Sequence, residues 1–303
     1  MSRSHEQERM RELLARVRAI EIRSRRLADN VLAGQYRTAF RGSGIEFEEV
    51  REYISGDDVR SIDWNVTART GRIFVKKYRE ERERNVLMLI DISASQYFTS
   101  LSKSKNELCA ELAAVFSLSA LSSKDKIGLI LFSDRIEKTI MPRRGRSHVL
   151  RLIREVLACE PKGRKTDINL ALGHVNRVLP HRSIILLISD FLADEEAYER
   201  ALLLTSLRHD FVPIIIRDPL EERLPKGPAG VLVLEDAESG QVVPVCLDSP
   251  RARAQYKERV QRKDALLGAF LRRHKIDSIT VRTADSTYTS ELMQFFKRRV
   301  ARQ

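Results

Sequence analysis

The 303-residue chain is long enough for one large domain, or for one domain with an appendage, and its 43% hydrophobic content suffices for a buried core. Three widely spaced cysteines without a CxxC pair argue against a disulfide framework or a structural zinc and favour a reducing compartment. Because residues 1–30 lack the apolar core of a signal peptide and no stretch approaches the roughly 20 apolar residues of a membrane span, we expect a cytoplasmic protein.

Residues 1–35 are predicted to form an N-terminal amphipathic helix. Leu13, Leu14, Val17 and Ile20 recur near helical spacing, with Arg and Glu between them. Such a pattern is typical of a helix that packs one face on another part of the protein.

Residues 36–84 follow as a small β-rich segment. Glycines and short β-prone runs such as RIFVKKY indicate strands and turns rather than a helical domain. We expect ion pairs and a buried Trp64 to hold this segment against the sheet of the next domain, and the alternative is a surface on which a partner docks. The residues behind both interpretations are Arg51, Asp58, Arg60, Asp63, Trp64 and Arg69.

Residues 85–303 alternate between apolar, strand-like runs and helical stretches. The predicted strands are NVLMLID, KIGLILFS, EKTIMPR, SIILLISD, FVPIIIRD and SITVRT. This alternation predicts an α/β domain whose mostly parallel sheet is covered by helices on both faces. Residues 217–249 interrupt it with Pro- and Gly-rich loops and a predicted hairpin around Glu238, Ser239 and Gly240.

Polar side chains gather where the predicted strands end. Asp91 and Asp190 each end a strand, Ser93 and Ser95 follow Asp91, and Thr166 lies in a polar loop before a helix. Ligands of open parallel sheets bind at the carboxyl ends of the strands. Two carboxylates and three hydroxyls are oxygen ligands suited to a small, hard cation.

Each of these residues also has a simpler interpretation. Thr166 or Asp167 could cap the following helix, and the two serines could cap a turn. Asp190 could merely end its strand. One D-x-S-x-S match is a weak signal, whereas three segments of suitable composition in the right order form a much stronger one.

The order D-x-S-x-S, Thr, Asp resembles the metal-ion-dependent adhesion site of von Willebrand factor A domains. The preceding segment, which includes GDDVRSIDW, resembles the signature of the bacterial domain-of-unknown-function 58 family, and the combined match covers roughly residues 36–300. One departure is Gln96, where related sequences often have Met. We expect this difference to affect local packing more than metal ligation.

The resemblance implies a doubly wound, von Willebrand factor A-like sheet with a divalent cation, usually Mg²⁺ and otherwise Mn²⁺ or Ca²⁺, above its edge. The metal residues carried over are Asp91, Ser93, Ser95, Thr166 and Asp190. It further implies an open metal position that accepts an Asp or Glu of a protein partner. Family members occur with MoxR-type AAA+ ATPases, so an adaptor or co-chaperone role beside such an ATPase is the expected function.

Enzymatic readings find little support in the sequence. A phosphoaspartate enzyme would need an acid where Ser93 stands, and there is neither a Walker loop nor a G-x-S-x-G elbow. The six histidines show no triad or zinc spacing. We therefore expect a binding protein, although a metal with an open position could activate water.

The basic C-terminal helices support an alternative function. Nine Lys or Arg lie between Arg251 and Lys275, and the net charge of the chain is +12. Such a surface would attract nucleic acid or an anionic surface, but neither aromatic interleaving nor a nucleic-acid-binding signature accompanies it. We expect Arg259, Arg262 and Lys263 to belong to a surface separate from the metal site.

Overall fold

The structure, a computed structural model, describes most of the chain in ten stretches: residues 2–28, 33–40, 45–80, 84–97, 103–193, 195–224, 230–235, 240–246, 249–284 and 288–302. The chain divides into two compact units. Residues 1–39 and 85–303 form the larger unit, and residues 40–84 form the smaller unit.

Two helices begin the larger unit, α1 (Ser2–Leu27) and α2 (Ala33–Ala39). The predicted N-terminal helix is confirmed, and α1 is joined to the rest of the unit by ion pairs such as Arg16 to Glu107 at 2.6 Å. Helix α2 continues past residue 35, where the N-terminal helical segment was predicted to end. Its Tyr36 is buried and meets the Phe296 ring edge-on at 6.3 Å, so α2 packs into this unit.

The smaller unit contains an antiparallel pair, β1 (Ile45–Glu52) and β2 (Phe74–Glu80). Strands were predicted here, but the connection also holds a short 3-10 helix, Val59–Ser61, and α3 (Trp64–Thr70). The carboxylates of Asp58 and Asp63 cap these two helices. An Asp before each helix was therefore the available sequence signal.

The expectation that Trp64 is buried is wrong, because 67% of its surface is exposed. Trp64 is the first residue of α3, a seven-residue helix with no buried residue. The ion pair of Arg51 with Asp57, at 2.7 Å, lies inside the smaller unit, where it stabilises that unit's own turn.

The larger unit is built on a six-stranded sheet. Its strands are β3 (Asn85–Asp91), β4 (Lys126–Phe132), β5 (Ile136–Arg143), β6 (Ile184–Ser189), β7 (Asp210–Arg217) and β10 (Ile279–Arg282). The order across the sheet is β10-β7-β6-β3-β4-β5, and only the β4–β5 pair is antiparallel. The predicted mixed α/β fold with a mostly parallel sheet is confirmed.

The central strands β3, β4, β6 and β7 are buried almost without interruption. Because successive residues of a strand face opposite sides, this burial means that both faces of the sheet are covered. One face packs Leu87 and Leu187 into a cluster with Leu172 and Leu202. The helices that follow the first strands are α4 (Lys105–Ser122), α5 (Arg146–Ala158), α6 (Ile168–Val178) and α7 (Glu195–Arg208).

The region after β7 begins with a one-turn helix, α8 (Pro219–Glu222), which was not predicted from the sequence. Strands β8 (Val231–Glu235) and β9 (Val242–Cys246) then pair antiparallel, as the predicted hairpin requires. The predicted turn residues Glu238 and Ser239 lie outside the described residues. The chain continues with α9 (Pro250–Arg273) and, after β10, with α10 (Thr289–Val300). Of the helices described, none is both long and apolar enough to cross a membrane.

Candidate metal site at the carboxyl edge of the sheet

Strand β3 carries Asp91 to the carboxyl edge of the sheet, where its side chain is fully buried. Its Oδ1 accepts a hydrogen bond from the Ser93 amide at 2.9 Å, and its Oδ2 accepts one from the Ser189 hydroxyl at 2.8 Å. The Thr166 hydroxyl lies 3.4 Å from the same Oδ2. The donors of these hydrogen bonds to the Asp91 carboxylate are all neutral.

The three predicted hydroxyls lie together beside Asp91. Thr166 Oγ1 donates to Ser93 Oγ at 2.8 Å, and Ser93 Oγ lies 3.1 Å from Ser95 Oγ. Ser95 Oγ in turn donates to Asp190 Oδ2 at 2.9 Å. All five predicted site residues thus belong to one continuous hydrogen-bonded network of oxygen atoms, although they come from three distant parts of the sequence.

The loop that carries Thr166 is held by its backbone. The amides of Lys162 and Gly163 donate to Glu137 Oε1 at 2.9 and 2.8 Å, and the Ala94 amide donates to the Arg164 carbonyl at 3.0 Å. A Cβ atom on Gly163 would clash with the side chains of Asp134 and Ser133, so these side chains would have to shift to make room for it.

Asp167, not Thr166, caps α6. Asp167 Oδ1 accepts a hydrogen bond from the Leu170 amide at 2.8 Å, as an N-cap residue does. The Thr166 hydroxyl instead points into the oxygen network through its bond to Ser93. The capping interpretation therefore applies to the neighbouring residue.

Asp190, at the end of β6, differs from Asp91 in having a charged partner. Its Oδ2 accepts hydrogen bonds from Lys105 Nζ at 2.8 Å and Gln96 Nε2 at 3.1 Å, in addition to the bond from Ser95. Lys105 is completely buried and also forms an ion pair with Glu221 of α8. Gln96 thus contacts a predicted metal residue directly, and the expectation that it affects packing more than metal ligation stays a prediction.

These contacts give Asp91 and Asp190 opposite electrostatic environments. Burial and the charge of Asp190 raise the pKa of Asp91 to about 7, although hydrogen bonds from Ser93 and Ser189 act in the opposite direction. Burial also tends to raise the pKa of Asp190, but the charge and hydrogen bond of Lys105 outweigh it and lower that pKa. The edge therefore holds buried negative charge that the lysine offsets only in part.

Two further residues fix the backbone around Asp190. The buried Arg217 guanidinium donates to the Asp190 carbonyl and to Asp264 Oδ1 of α9, the latter at 2.5 Å. Phe191 adopts a left-handed backbone with φ of 52° while its ring is buried and meets Tyr198 edge-on at 6.0 Å. A bulky residue rarely adopts this conformation, so packing holds the turn in place.

Helix α9 reaches the same edge. Lys263 Nζ donates to the carbonyl of Leu192, two residues after Asp190. The expectation that Lys263 belongs to a separate surface is therefore wrong, whereas Arg259 and Arg262 are exposed on the helix. The cause is the Asp264–Arg217 contact, which brings α9 against the end of β7.

Sequence reasoning missed several residues of this network: Gln96, Lys105, Ser189, Arg217 and Glu221. One usable signal was Lys105 itself. A lysine in the first turn of a helix faces the positive end of the helix dipole, which is unfavourable unless an acid compensates it. Its compensating acids, Asp190 and Glu221, are 85 and 116 residues away in sequence.

The residues present fit a small divalent cation. The cluster offers oxygen atoms alone, from two buried carboxylates and three hydroxyls, which is the chemistry of Mg²⁺ and related ions. The partly uncompensated charge at Asp91 is an independent reason for a cation, because an ion between the carboxylates would remove their repulsion.

Residues 49–266 match the family described as "Protein of unknown function DUF58". The uncharacterized proteins Mb1516 of Mycobacterium bovis and Rv1480 of Mycobacterium tuberculosis are each 31% identical to this chain over 238 residues, covering 78% of it and 74% of theirs.

Two solved structures are also similar. They are the conserved hypothetical protein BatB of Bacteroides thetaiotaomicron, at 18% identity, and an aerotolerance-related membrane protein of Bacteroides fragilis, at 16%. Each match covers 73% of this chain and all of the other, with a TM-score of 0.45, too low to carry an argument. The family match and the mycobacterial relatives carry the assignment: the chain belongs to the DUF58 family.

Proposed function

We propose that this DUF58 protein is a metal-dependent protein-interaction module with a doubly wound, von Willebrand factor A-like domain. Its metal site would consist of Asp91, Ser93, Ser95, Thr166 and Asp190, with Mg²⁺ as the favoured ion and Mn²⁺ or Ca²⁺ as substitutes. The observation that carries the proposal is the convergence of three separate loops into one oxygen network at the carboxyl edge of the sheet.

The composition of the network suits binding of an external carboxylate. Three of the five residues offer neutral hydroxyl oxygens, so the protein supplies little negative charge to the ion. A bound divalent cation would supply Lewis acidity, which attracts an anionic ligand to its open position. The partner group that fits is therefore an Asp or Glu side chain.

A binding role fits better than a catalytic one. Lys105 is the amine in contact with the site, and it is held between two carboxylates that keep it protonated, so it is a poor general base. The family resemblance implies a MoxR-type AAA+ ATPase as the partner, with this chain as its adaptor or co-chaperone. We adopt that partner as part of the proposal.

The metal is tested first, by thermal unfolding with and without Mg²⁺. An ion that binds only the folded state adds about 2.7 kcal/mol of stability at about a hundred times its dissociation constant, which shifts the melting temperature of a domain of this size by several degrees. Asp91→Ala should abolish the shift. Asp167→Ala is the matched control, because it removes a carboxylate from the same edge that caps α6 instead of joining the network.

The partner is tested by pull-down from the native lysate with Mg²⁺ or with a chelator. A partner that is released by the chelator and lost with Asp91→Ala supports the proposal. If the amount of partner retained does not change with the chelator but falls steeply with salt, the result would instead support binding of nucleic acid or an anionic surface through the basic residues of α9. An equal Mg²⁺ shift in wild type and Asp91→Ala would contradict the site itself.

A further inference from the structure

Lys105 is the one lysine without solvent exposure among the residues that the structure describes. Its ammonium lies 2.8 Å from Asp190 Oδ2 and forms a second ion pair with Glu221 Oε1. Burying an ammonium group is costly unless it is paired and hydrogen-bonded, and here two carboxylates fulfil that condition. Lys105 therefore forms part of the charge balance of the metal edge.

The helix start places Lys105 with little freedom. Ser104 caps α4, its hydroxyl accepting from the Glu107 amide at 3.2 Å, and Glu107 bonds back to the Ser104 amide at 3.3 Å. Lys105 is the first residue of this helix, so its side chain leaves from a fixed backbone position. The capping box thus aims the lysine at the end of β6.

Glu221 is fixed from the other side. Its Oε2 accepts from the Asp218 amide at 3.1 Å, which closes the capping box of α8, and its backbone carbonyl accepts from Tyr256 of α9 at 3.2 Å. Lys105 therefore connects the end of β6 with α8, and Glu221 connects α8 with α9 through Tyr256.

The consequence for a bound cation is electrostatic. Asp190 Oδ2 divides its negative charge among Lys105, Ser95 and Gln96, so less of that charge acts on an ion beside Ser95. Asp91, by contrast, accepts its hydrogen bonds from the neutral Ser93 amide and Ser189 hydroxyl. A cation at this edge is thus held by one full carboxylate and one that is already neutralised from inside the fold.

We propose that Lys105 tunes the affinity of the metal centre. Its charge weakens metal binding and so leaves the bound cation with more charge to attract a partner's carboxylate. This inference rests on the function proposed above. Glu221 acts in the opposite sense, because it takes up part of the lysine's charge and so returns charge from Asp190 to the metal.

The test is the affinity of purified full-length variants for Mg²⁺ alone and for Tb³⁺ alone, measured by isothermal titration calorimetry. Lys105→Met removes a positive charge near the ion and should tighten Mg²⁺ binding on the order of tenfold. The gain should be larger for Tb³⁺, because Coulomb energy is proportional to the charge of the ion. A purely structural role would lower the affinity for both ions.

Glu221→Gln gives the second, opposite arm. It leaves Lys105 wholly to Asp190 and should weaken Mg²⁺ binding by roughly several-fold and Tb³⁺ binding by more. A purely structural effect would weaken the binding of both ions alike, so the ratio of the two affinities keeps the test decisive if Lys105→Met does not fold. Lys103→Met is the matched control, since this lysine, two residues away, pairs with Glu111 outside the network and is partly exposed. Its Mg²⁺ affinity should equal that of the wild type.

The outcomes separate the two proposals. If the wild type binds no Mg²⁺, the proposed metal-dependent function fails before Lys105 is considered. If the wild type binds Mg²⁺ while Lys105→Met binds it equally or more weakly, or Glu221→Gln leaves it unchanged, the role of Lys105 is overturned and the metal site stands. Tighter binding in Lys105→Met with weaker binding in Glu221→Gln supports the inference.

Discussion

Asp91 and Asp190 lie at the carboxyl ends of neighbouring strands and yet have opposite electrostatic environments. Their strands, β3 and β6, are parallel neighbours, and both side chains are buried at the same edge. Asp190 faces a buried lysine, whereas Asp91 faces hydroxyl and amide donors. The contrast teaches that position at the strand end places a carboxylate, while a residue from a distant helix decides how much charge it offers.

The largest expected effect comes from neutralising each aspartate in turn. Asp190→Asn leaves Lys105 buried with Glu221 as its remaining acid, and removing one partner of a buried ion pair costs about 3–5 kcal/mol. Asp91→Asn removes a charge without a cationic partner and keeps its shape, so the change should stay within about 1 kcal/mol. Urea unfolding in the presence of a chelator measures both.

Equal losses of stability in Asp190→Asn and Asp91→Asn would contradict the contrast between the two aspartates. Equal losses would mean that Lys105 is bound mainly by Glu221 and that Asp190 is no more dependent on it than Asp91 is. A loss confined to Asp91→Asn would reverse the assignment of charge at the edge.

A smaller effect distinguishes Thr166 from Asp167. Thr166→Ala removes the hydroxyl that joins Ser93 beside Asp91, so it should reduce the Mg²⁺-dependent gain in melting temperature while α6 keeps its cap. Asp167→Ala should cost about 1 kcal/mol of stability by loss of the cap and leave the Mg²⁺ gain intact. Thermal melts of both variants, with and without Mg²⁺, give the comparison; a Mg²⁺ gain that Thr166→Ala leaves unchanged would remove Thr166 from the site.

The last expected effect, similar in size to the loss of the α6 cap, concerns Gln96. Gln96→Met deletes one hydrogen bond to Asp190 Oδ2, which still accepts hydrogen bonds from Lys105 and Ser95. The substitution should therefore lower the free energy of unfolding by only about 0.5–1.5 kcal/mol. The same change in an Asp190→Asn background should cost less, because the charged acceptor is gone. A double-mutant cycle in urea measures this coupling, and strict additivity would show that Gln96 acts through packing instead.

The sequence predicted the strands and the five oxygen residues because both signals are local. An uninterrupted apolar run such as Val86 to Ile90 identifies a buried strand, and the parallel topology brings the strand ends together. The partners of Lys105 were not predictable in this way, since they depend on which helix start reaches which strand end. The prediction that Trp64 is buried was wrong for a related reason. Its hydrophobicity predicts burial, but the short α3 buries none of its residues.

The turn at Phe191 has a consequence for anyone who redesigns this chain. Its left-handed backbone favours glycine, yet its ring fills part of the core beside Tyr198. Glycine would relieve the torsion and leave a cavity the size of an aromatic ring, whereas other large residues would fill the space at the same torsional cost. A redesign guided by turn preference alone would therefore choose glycine at position 191, whereas one guided by core volume alone would choose another large residue.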